Sequence, residues 1–333
     1  MNRARLALAL ICIAGLSLLT GCSRRKEIWI YTSLPKDVIA EMVEPLQAAV
    51  QGADVKWYQS ASDMVASRLT SEAEAGNMKA DLVLTTDPLW YVEQKRKGRL
   101  LSYDSPAARD LPAEYRDADR AFAAMRLSVM VMGYNSTMIK PAEVPERWKD
   151  LIGAKGEGKV SMATPLDSPQ TFVALSMLSK HFGWDYFASL RKGRMVAEGT
   201  QSSVLTRIES GERPIGILPL ESALRASAHN RSIKVSYPQD GAVLVPGLIA
   251  ILKDTGDPEI AQRVYDWFFS SEGQKAVIRG GFYSPLSKSA TPEGARPWAE
   301  LQPSLAPWTT NTLIEMLSTR DQVRARFSEV VLH

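Results

Sequence analysis

EIWIYTSLPKDVIAEMVEPLQ, residues 27–47, decides the fold. Ile28, Trp29, Ile30 and Tyr31 form a short run of β-branched and aromatic side chains, the pattern of a buried strand. Thr32 and Ser33 come next, and hydroxyl residues suit a helix N-cap. Pro35 fits the first helical turn, where its missing N–H is not needed. Val38, Ile39, Met42, Val43 and Leu46 then recur at helical spacing. A strand therefore runs into a helix through a small, hydroxyl-bearing corner. The free N–H groups and the dipole at such a corner attract an anion. A single corner reads equally well as an ordinary capped turn, so the case for a ligand depends on repetition.

The device does repeat. Residues 55–59 (VKWYQ) read as a strand, and Ser60, Ser62 and Asp63 open a helix that Gly76 ends. Residues 80–86 (ADLVLTT) read as a third strand, and Thr86 and Asp87 lead into a helix closed by Gly98. Three βα units at this spacing predict a parallel sheet. After an irregular stretch over 100–122, strands are expected at 127–134, 159–163, 195–197, 214–218, 233–237 and 243–252. Helices are expected at 148–152, from Thr164 to Thr171 onward, after Gln201, Ser202 and Ser203, and from Glu221. The amphipathic pattern over 258–279 predicts one long helix, and 309–332 reads as mostly helical. The second set of elements is again α/β, without sequence repeat to the first.

The beginning of the chain reads as a targeting segment. Arg3 and Arg5 precede an apolar run over 6–19 that ends in Leu19-Thr20-Gly21-Cys22. The run is short for a membrane span. The pattern resembles a bacterial lipobox, so residues 1–21 are expected to be a signal peptide and Cys22 the lipidated residue. Ser23 after it resembles lipoproteins passed on to an outer membrane. Cys12 lies in the removed segment, which leaves Cys22 without a disulfide partner.

Of 40 basic residues, the leader takes two, leaving 38 against 37 acidic ones. That balance argues against a nucleic-acid partner, which calls for a basic excess or stripe. With 333 residues and 45% hydrophobic content, the chain can bury a full core and divide into two lobes.

The order of these pieces resembles the periplasmic solute-binding proteins of ABC importers, in the group with ferric-iron, polyamine, phosphonate and sugar-phosphate binders. The stretches that carry it are IYTSLPKDVIAEMVEPLQ, ADLVLTTDP, VMGYNS with PERWKDLI, GKVSMATPLDSPQT, RIESGERPIGIL, GLIAILKDTGDPEIAQRVYDWFFSSEGQ and YSPLS. Together they span residues 28 to about 287, and their order rather than any one piece makes the match.

The resemblance implies an α/β, two-lobed periplasmic-binding-protein fold of type II with two crossing strands near 127–134 and 243–252. Lobe 1 would comprise 22–126 and 243–333, and lobe 2 residues 127–242. Ligand would sit between the lobes, beyond the carboxyl ends of the strands. The expected ligand-binding residues are Thr32, Ser33, Ser60, Ser62, Thr86, Asp87, Thr164, Ser168, Gln170, Thr171, Gln201, Ser202, Ser203 and Glu221. Such a set offers many N–H and O–H donors and few full positive charges, which suits a phosphate, phosphonate or carboxylate. Glu221 would bond a hydroxyl or amine on the rest of the molecule, or would simply serve its helix dipole. Arg126 could add charge, or could form an ordinary surface ion pair.

Ferric-binding relatives place two adjacent tyrosines where this chain has Ile217 to Ser222, and a histidine where it has Ser33-Leu34. Bare ferric iron needs hard oxygen ligands such as phenolate. His181, His229 and His333 are scattered without metal spacing. Polyamine binding needs carboxylates and aromatic walls, to which Asp87, Glu221, Trp57, Tyr58 and Trp90 could contribute. The expected ligand is a small anionic organic solute, an organophosphonate or sugar phosphate. A ferric complex and a polyamine stay open, as does a sensory role presenting ligand to a membrane receptor. The expected partners are an inner-membrane ABC permease and a lipid bilayer that holds the acyl anchor, for a monomeric protein in the periplasm.

Enzymatic motifs fail on context. GAKGEGK at 153–159 lacks the Ser or Thr of a P-loop and has a helix before it and a strand after. Ser33-Leu34-Pro35-Lys36 matches S-x-x-K without its KTG or SDN partners. No G-x-S-x-G or catalytic triad is present. No cofactor is expected.

Overall fold

The opening strand β1 (Lys26–Thr32) buries Ile28, Ile30 and Tyr31 completely, and this run fixes the centre of the first half. The computed structural model describes residues 26–286, 290–301 and 308–333. The leader, the lipobox and Cys22 lie outside the described residues.

β1 pairs in parallel with β2 (Ala53–Gln59) on one side and β3 (Leu82–Thr85) on the other, with Ile28 opposite Val55 and Ile30 opposite Leu82. Helices α1 (Lys36–Ala49), α2 (Ser62–Glu74) and α3 (Pro88–Arg96) alternate with these strands. These are the three βα units predicted by the hydrophobic pattern.

The long strand β4 (Ala123–Asn135) leads into the second half, made of β5 (Val160–Met162), α4 (Pro169–Phe182), α5 (Trp184–Lys192), β6 (Val196–Ala197) and α6 (Gln201–Ser210). Next come β7 (Ile215–Pro219), α7 (Leu220–His229), β8 (Ile233–Ser236) and β9 (Val243–Ile251). The sheet order is β2-β1-β3-β9-β4-β7-β5-β6, with β8 also on β4.

β4 and β9 join the halves. The first part of β4 pairs antiparallel with β9 from Ala123–Ile249 to Met130–Val243. Its later part pairs with β7 and β8 instead. β9 in turn pairs with β3 through Leu248 to Ile251. Both strands are buried almost throughout, which is why they read as continuous apolar runs.

Two apolar clusters result. One packs α1 and the later helices α8 (Pro258–Phe269) and α9 (Ser271–Arg279) on the first half's sheet, around Met42, Leu46, Phe268 and Val277. The other runs from Tyr31 and Tyr91 through the crossing strands to Trp148 and Phe187. The single helix expected over 258–279 is two. Ser270 adopts an extended backbone and caps α9 by accepting from the Gly273 N–H at 3.1 Å. Gly273 permits the tight joint, since a Cβ there would overlap the Trp267 carbonyl.

After the short α10 (Trp298–Leu301), the chain ends in α11 (Thr310–Phe327) and a π-helical turn, Ser328–Leu332. α11 packs against both α3 and α4, so the C-terminal segment, read from sequence as part of lobe 1, touches both halves. Arg320–Glu93 (3.0 Å) and Lys180–Glu315 (2.6 Å) tie its two sides down. No helix among the described residues is long and apolar enough to cross a membrane.

Candidate ligand-binding cleft

The strand-to-helix corners of both halves meet around one cavity of about 560 Å³. That size falls in the roughly 300–1,000 Å³ range of small-molecule sites. Ser33, Ser60, Ser62 and Thr86 line it from the first half, and Ser168, Gln170, Gln201, Ser202 and Glu221 from the second. A larger cavity of about 690 Å³ lies between α4 and α11, but no buried unpartnered polar atom lines it among the described residues.

The corners are built differently from simple caps. Thr32 stays inside the strand layer: its Oγ1 donates to the Leu84 carbonyl at 2.9 Å and accepts from the Leu34 N–H at 3.0 Å. Pro35 is the N-cap of α1 and Ala61 that of α2, and neither offers a side-chain cap. Ser33 Oγ, read as a cap, is buried in the cavity wall without a partner among the described residues. Ser62 instead joins two corners, its Oγ lying 3.2 Å from Thr86 Oγ1 and accepting from the Thr86 N–H at 3.3 Å.

Asp87 does cap α3, accepting from the Trp90 N–H at 3.2 Å, but it does not line the cavity. Burial pushes its carboxyl up to about 6, and Arg320 on α11 partly offsets that. Thr164 spends its hydroxyl on the Leu166 N–H, and Ser168 caps α4 through the Thr171 N–H at 3.2 Å. Thr171 is buried behind the wall, where it accepts from Gln201 Nε2 at 2.9 Å. Thr200, not Gln201, caps α6, and Ser203 closes that capping box. Thus Thr32, Asp87, Thr164, Thr171 and Ser203 support the walls, while the other nine expected residues face the cavity.

Behind the wall, a directed chain of bonds crosses from α4 to α7. Gln170 Nε2 donates to Ser128 Oγ at 3.0 Å, and Ser128 Oγ donates to Glu221 Oε2 at 2.6 Å. Ser128 sits on β4, so the crossing strand holds both groups.

Arg126, two residues earlier, lies at the register break of β4. It is 2% exposed, yet Nε and Nη1 have no hydrogen-bond partner among the described residues. Its Cζ stands 4.5 Å from the Phe282 ring centroid. Burial pushes the guanidinium down to about 10, with the charge of Glu221 opposing the fall. Arg225 of α7 also lines the cavity, but it is engaged by the Gly280 carbonyl at 3.2 Å and the Asp37 carboxylate at 3.7 Å.

Sequence reasoning missed Arg225, Phe282 and Thr200. A lone arginine inside a helix carries no local signal. Thr200 was legible as a hydroxyl just before α6, one residue upstream of the expected cap. No tyrosine lines the cavity, and no group of three His, Cys, Asp or Glu residues is placed to hold a metal among the described residues.

The family model described as bacterial extracellular solute-binding protein matches residues 77–303. The chain belongs to this family. A probable ABC transporter periplasmic-binding protein, y4fP, of Sinorhizobium fredii is 24% identical over 236 residues, covering 68% of this chain. The chain spans 65% of that relative's length.

Among solved structures, iron-bound HitA from Pseudomonas aeruginosa superposes with a TM-score of 0.76 at 19% identity, covering 90% of this chain and 99% of that one. AfuA from Actinobacillus pleuropneumoniae, with exogenous fructose-6-phosphate bound, gives 0.77 at 16%, covering 92% and 99%. The solute-binding chain thus has the two-lobed type II periplasmic-binding-protein fold. The family is one of transport receptors rather than enzymes.

Proposed function

We propose that this protein is the solute-binding component of an ABC import system. It closes its two lobes on a small anionic organic solute, an organophosphonate or sugar phosphate, and delivers it to an inner-membrane permease. Lobe 1 is residues 22–126 with 243–333, and lobe 2 is 127–242, hinged at the crossing strands. Cys22 carries a lipid anchor that keeps the monomer on the periplasmic face of the outer membrane.

One observation carries the ligand class: Ser33, Ser60, Ser62, Ser168, Gln201 and Ser202, at helix starts in both lobes, open into a single cavity. Hydroxyls and helix N-termini complement a compact oxyanion. The wall has no phenolate of the kind a bare ferric ion needs. Ligand contacts to both lobes favour closure by differential binding.

A thermal-shift screen of methylphosphonate, sugar phosphates, ferric citrate and spermidine tests this. A bound solute raises the melting temperature by mass action. Shifts with a phosphonate or sugar phosphate support the reading, and shifts with spermidine or ferric citrate alone overturn it.

A further inference from the structure

We infer that Arg126 is the charge-selecting residue of the cleft: it docks the anionic group of the solute and turns away polyamines and bare metal cations. This rests on the solute reading above.

The cavity wall contains three carboxylates, Asp63, Asp167 and Glu221, and two guanidinium groups, Arg126 and Arg225. By count the wall favours a cation, so the outcome depends on which charges are already engaged. Arg225 is held by Gly280 and Asp37. Glu221 accepts from Ser128 and makes no direct bond to Arg126 Nε or Nη1. Arg126 alone combines near-complete burial with unpartnered N–H groups.

A buried, unpaired cation is costly to keep. Here its stem is held by contacts that consume no donor. The register break between Ala124 and Arg126 aims the side chain, and Phe282 stacks on its flat face. Gly247, opposite on β9, leaves room for the stem to lie across the partner strand. The result is a rigid fork whose Nε–H and Nη1–H lie on its two different edges, each beside Nη2, and each is free to donate to a phosphate, phosphonate or carboxylate oxygen. The other orphaned groups at this cavity stand on opposite lobes: Ser33 Oγ, which can donate to an oxyanion, and Gln201 Oε1, which can only accept. An oxyanion on the fork thus has an unused donor in Ser33, while Gln201 Oε1 suits a hydroxyl on the rest of the solute.

The test is isothermal titration of the purified protein with inorganic phosphate, methylphosphonate, glucose 6-phosphate and spermidine, beside melting curves without ligand. R126M keeps an apolar stem against Phe282 and removes the charge. R126K keeps the charge and removes the fork. For the anionic probe that wild type binds best, R126M is expected to weaken binding about 100-fold and R126K about tenfold.

R126M should gain spermidine binding, because the carboxylates then dominate the wall. Its ligand-free melting temperature should equal or exceed that of wild type, since an unpaired buried charge is gone. A structural arginine would move that temperature down. Anion affinity within threefold of wild type in R126M, or a ligand-free melting temperature lowered by more than about 5 °C, overturns the inference and leaves the solute reading standing. If R126M does not fold, R126K decides by the same threefold limit. Wild type that binds none of the anions overturns the solute reading itself, and the inference with it.

Discussion

Gly247 and Arg126 face each other across the two crossing strands, and the space a side chain would fill at 247 is occupied by the arginine stem. They are register partners, and a Cβ built on Gly247 overlaps Arg126 Nε and Cγ. The glycine is needed here for clearance rather than for an unusual backbone angle. Replacing it with alanine forces the guanidinium off Phe282 or spreads the strands, an overpacking that costs about 1–3 kcal/mol. Gly247→Ala should therefore lower the melting temperature and weaken the best anionic ligand about tenfold. Titration and melting of the same preparation check both, and unchanged affinity would detach Arg126 from the ligand.

The charge of Glu221 favours the protonated form of Arg126, against the effect of burial, and the Glu221 carboxylate is oriented by Ser128 at 2.6 Å. Glu221→Gln can still accept that bond while losing the negative charge. The field at the guanidinium then becomes more positive, so inorganic phosphate should bind about three- to tenfold tighter. A sugar phosphate whose hydroxyl uses Glu221 should gain less or lose, because a neutral acceptor is weaker. Comparing the two ligands on wild type and variant separates the field effect from the contact. Equal changes in both would remove Glu221 from sugar recognition.

The buried carboxyl of Asp87 is raised from 3.8 to about 6. The folded value lies above the unfolded one, so the native state binds more protons between these pH values. Stability from this group is full below about pH 4 and is lost as pH rises through about 6. A rise of that size corresponds to about 3 kcal/mol, and partial exposure of the residue reduces that to about 1–2. Asp87→Asn retains a capping oxygen for the Trp90 N–H and removes the charge. Urea unfolding at about pH 4 and pH 8 should show the variant gaining stability chiefly at the higher pH. A parallel offset at both would show that burial is not the cause.

For the anchor, Cys22→Ser removes the thiol that would carry lipid while leaving the apolar leader intact. Fractionated cells should then release the protein from the membrane pellet into the soluble periplasm. Retention in the pellet would show that lipid on Cys22 is not what holds it.

The βα ladder was legible because strands such as Ile28–Tyr31 and Leu82–Thr85 are short apolar runs broken by polar corners. The cleft-facing serines were legible for the same reason, since a corner exposes the residues just past a strand's end. Local sequence could not say which hydroxyl points where. Thr32 turns inward because β3 offers it the Leu84 carbonyl. Ser62 bonds Thr86 rather than capping its own helix, a contact between corners 24 residues apart. The break at Ser270 is masked because apolar periodicity continues across it into Ala276 and Val277, although Ser270 and Gly273 are cap and breaker residues. Arg126 could be read as a charge near a strand, but its burial depends on Gly247 and Phe282, both distant in sequence. Arg225 has no signal short of the assembled cleft.

The C-terminal helix offers a test of how the two lobes share stability. Phe327 at its end is fully buried, and Val331 in the π-helical turn is 1% exposed. Arg191 of the second half donates to the Val331 carbonyl at 2.9 Å, and Arg324 donates to the Leu166 carbonyl at 3.1 Å. On its other side the helix holds α3 of the first half through Arg320 and Glu93. Phe327→Ala leaves a cavity in the cluster that runs through both lobes, with an expected cost of about 3–5 kcal/mol. If the helix supports the lobes as one unit, the urea midpoint should fall with the slope unchanged. Two resolved transitions in the variant would mean instead that the lobes unfold separately once this brace is loosened.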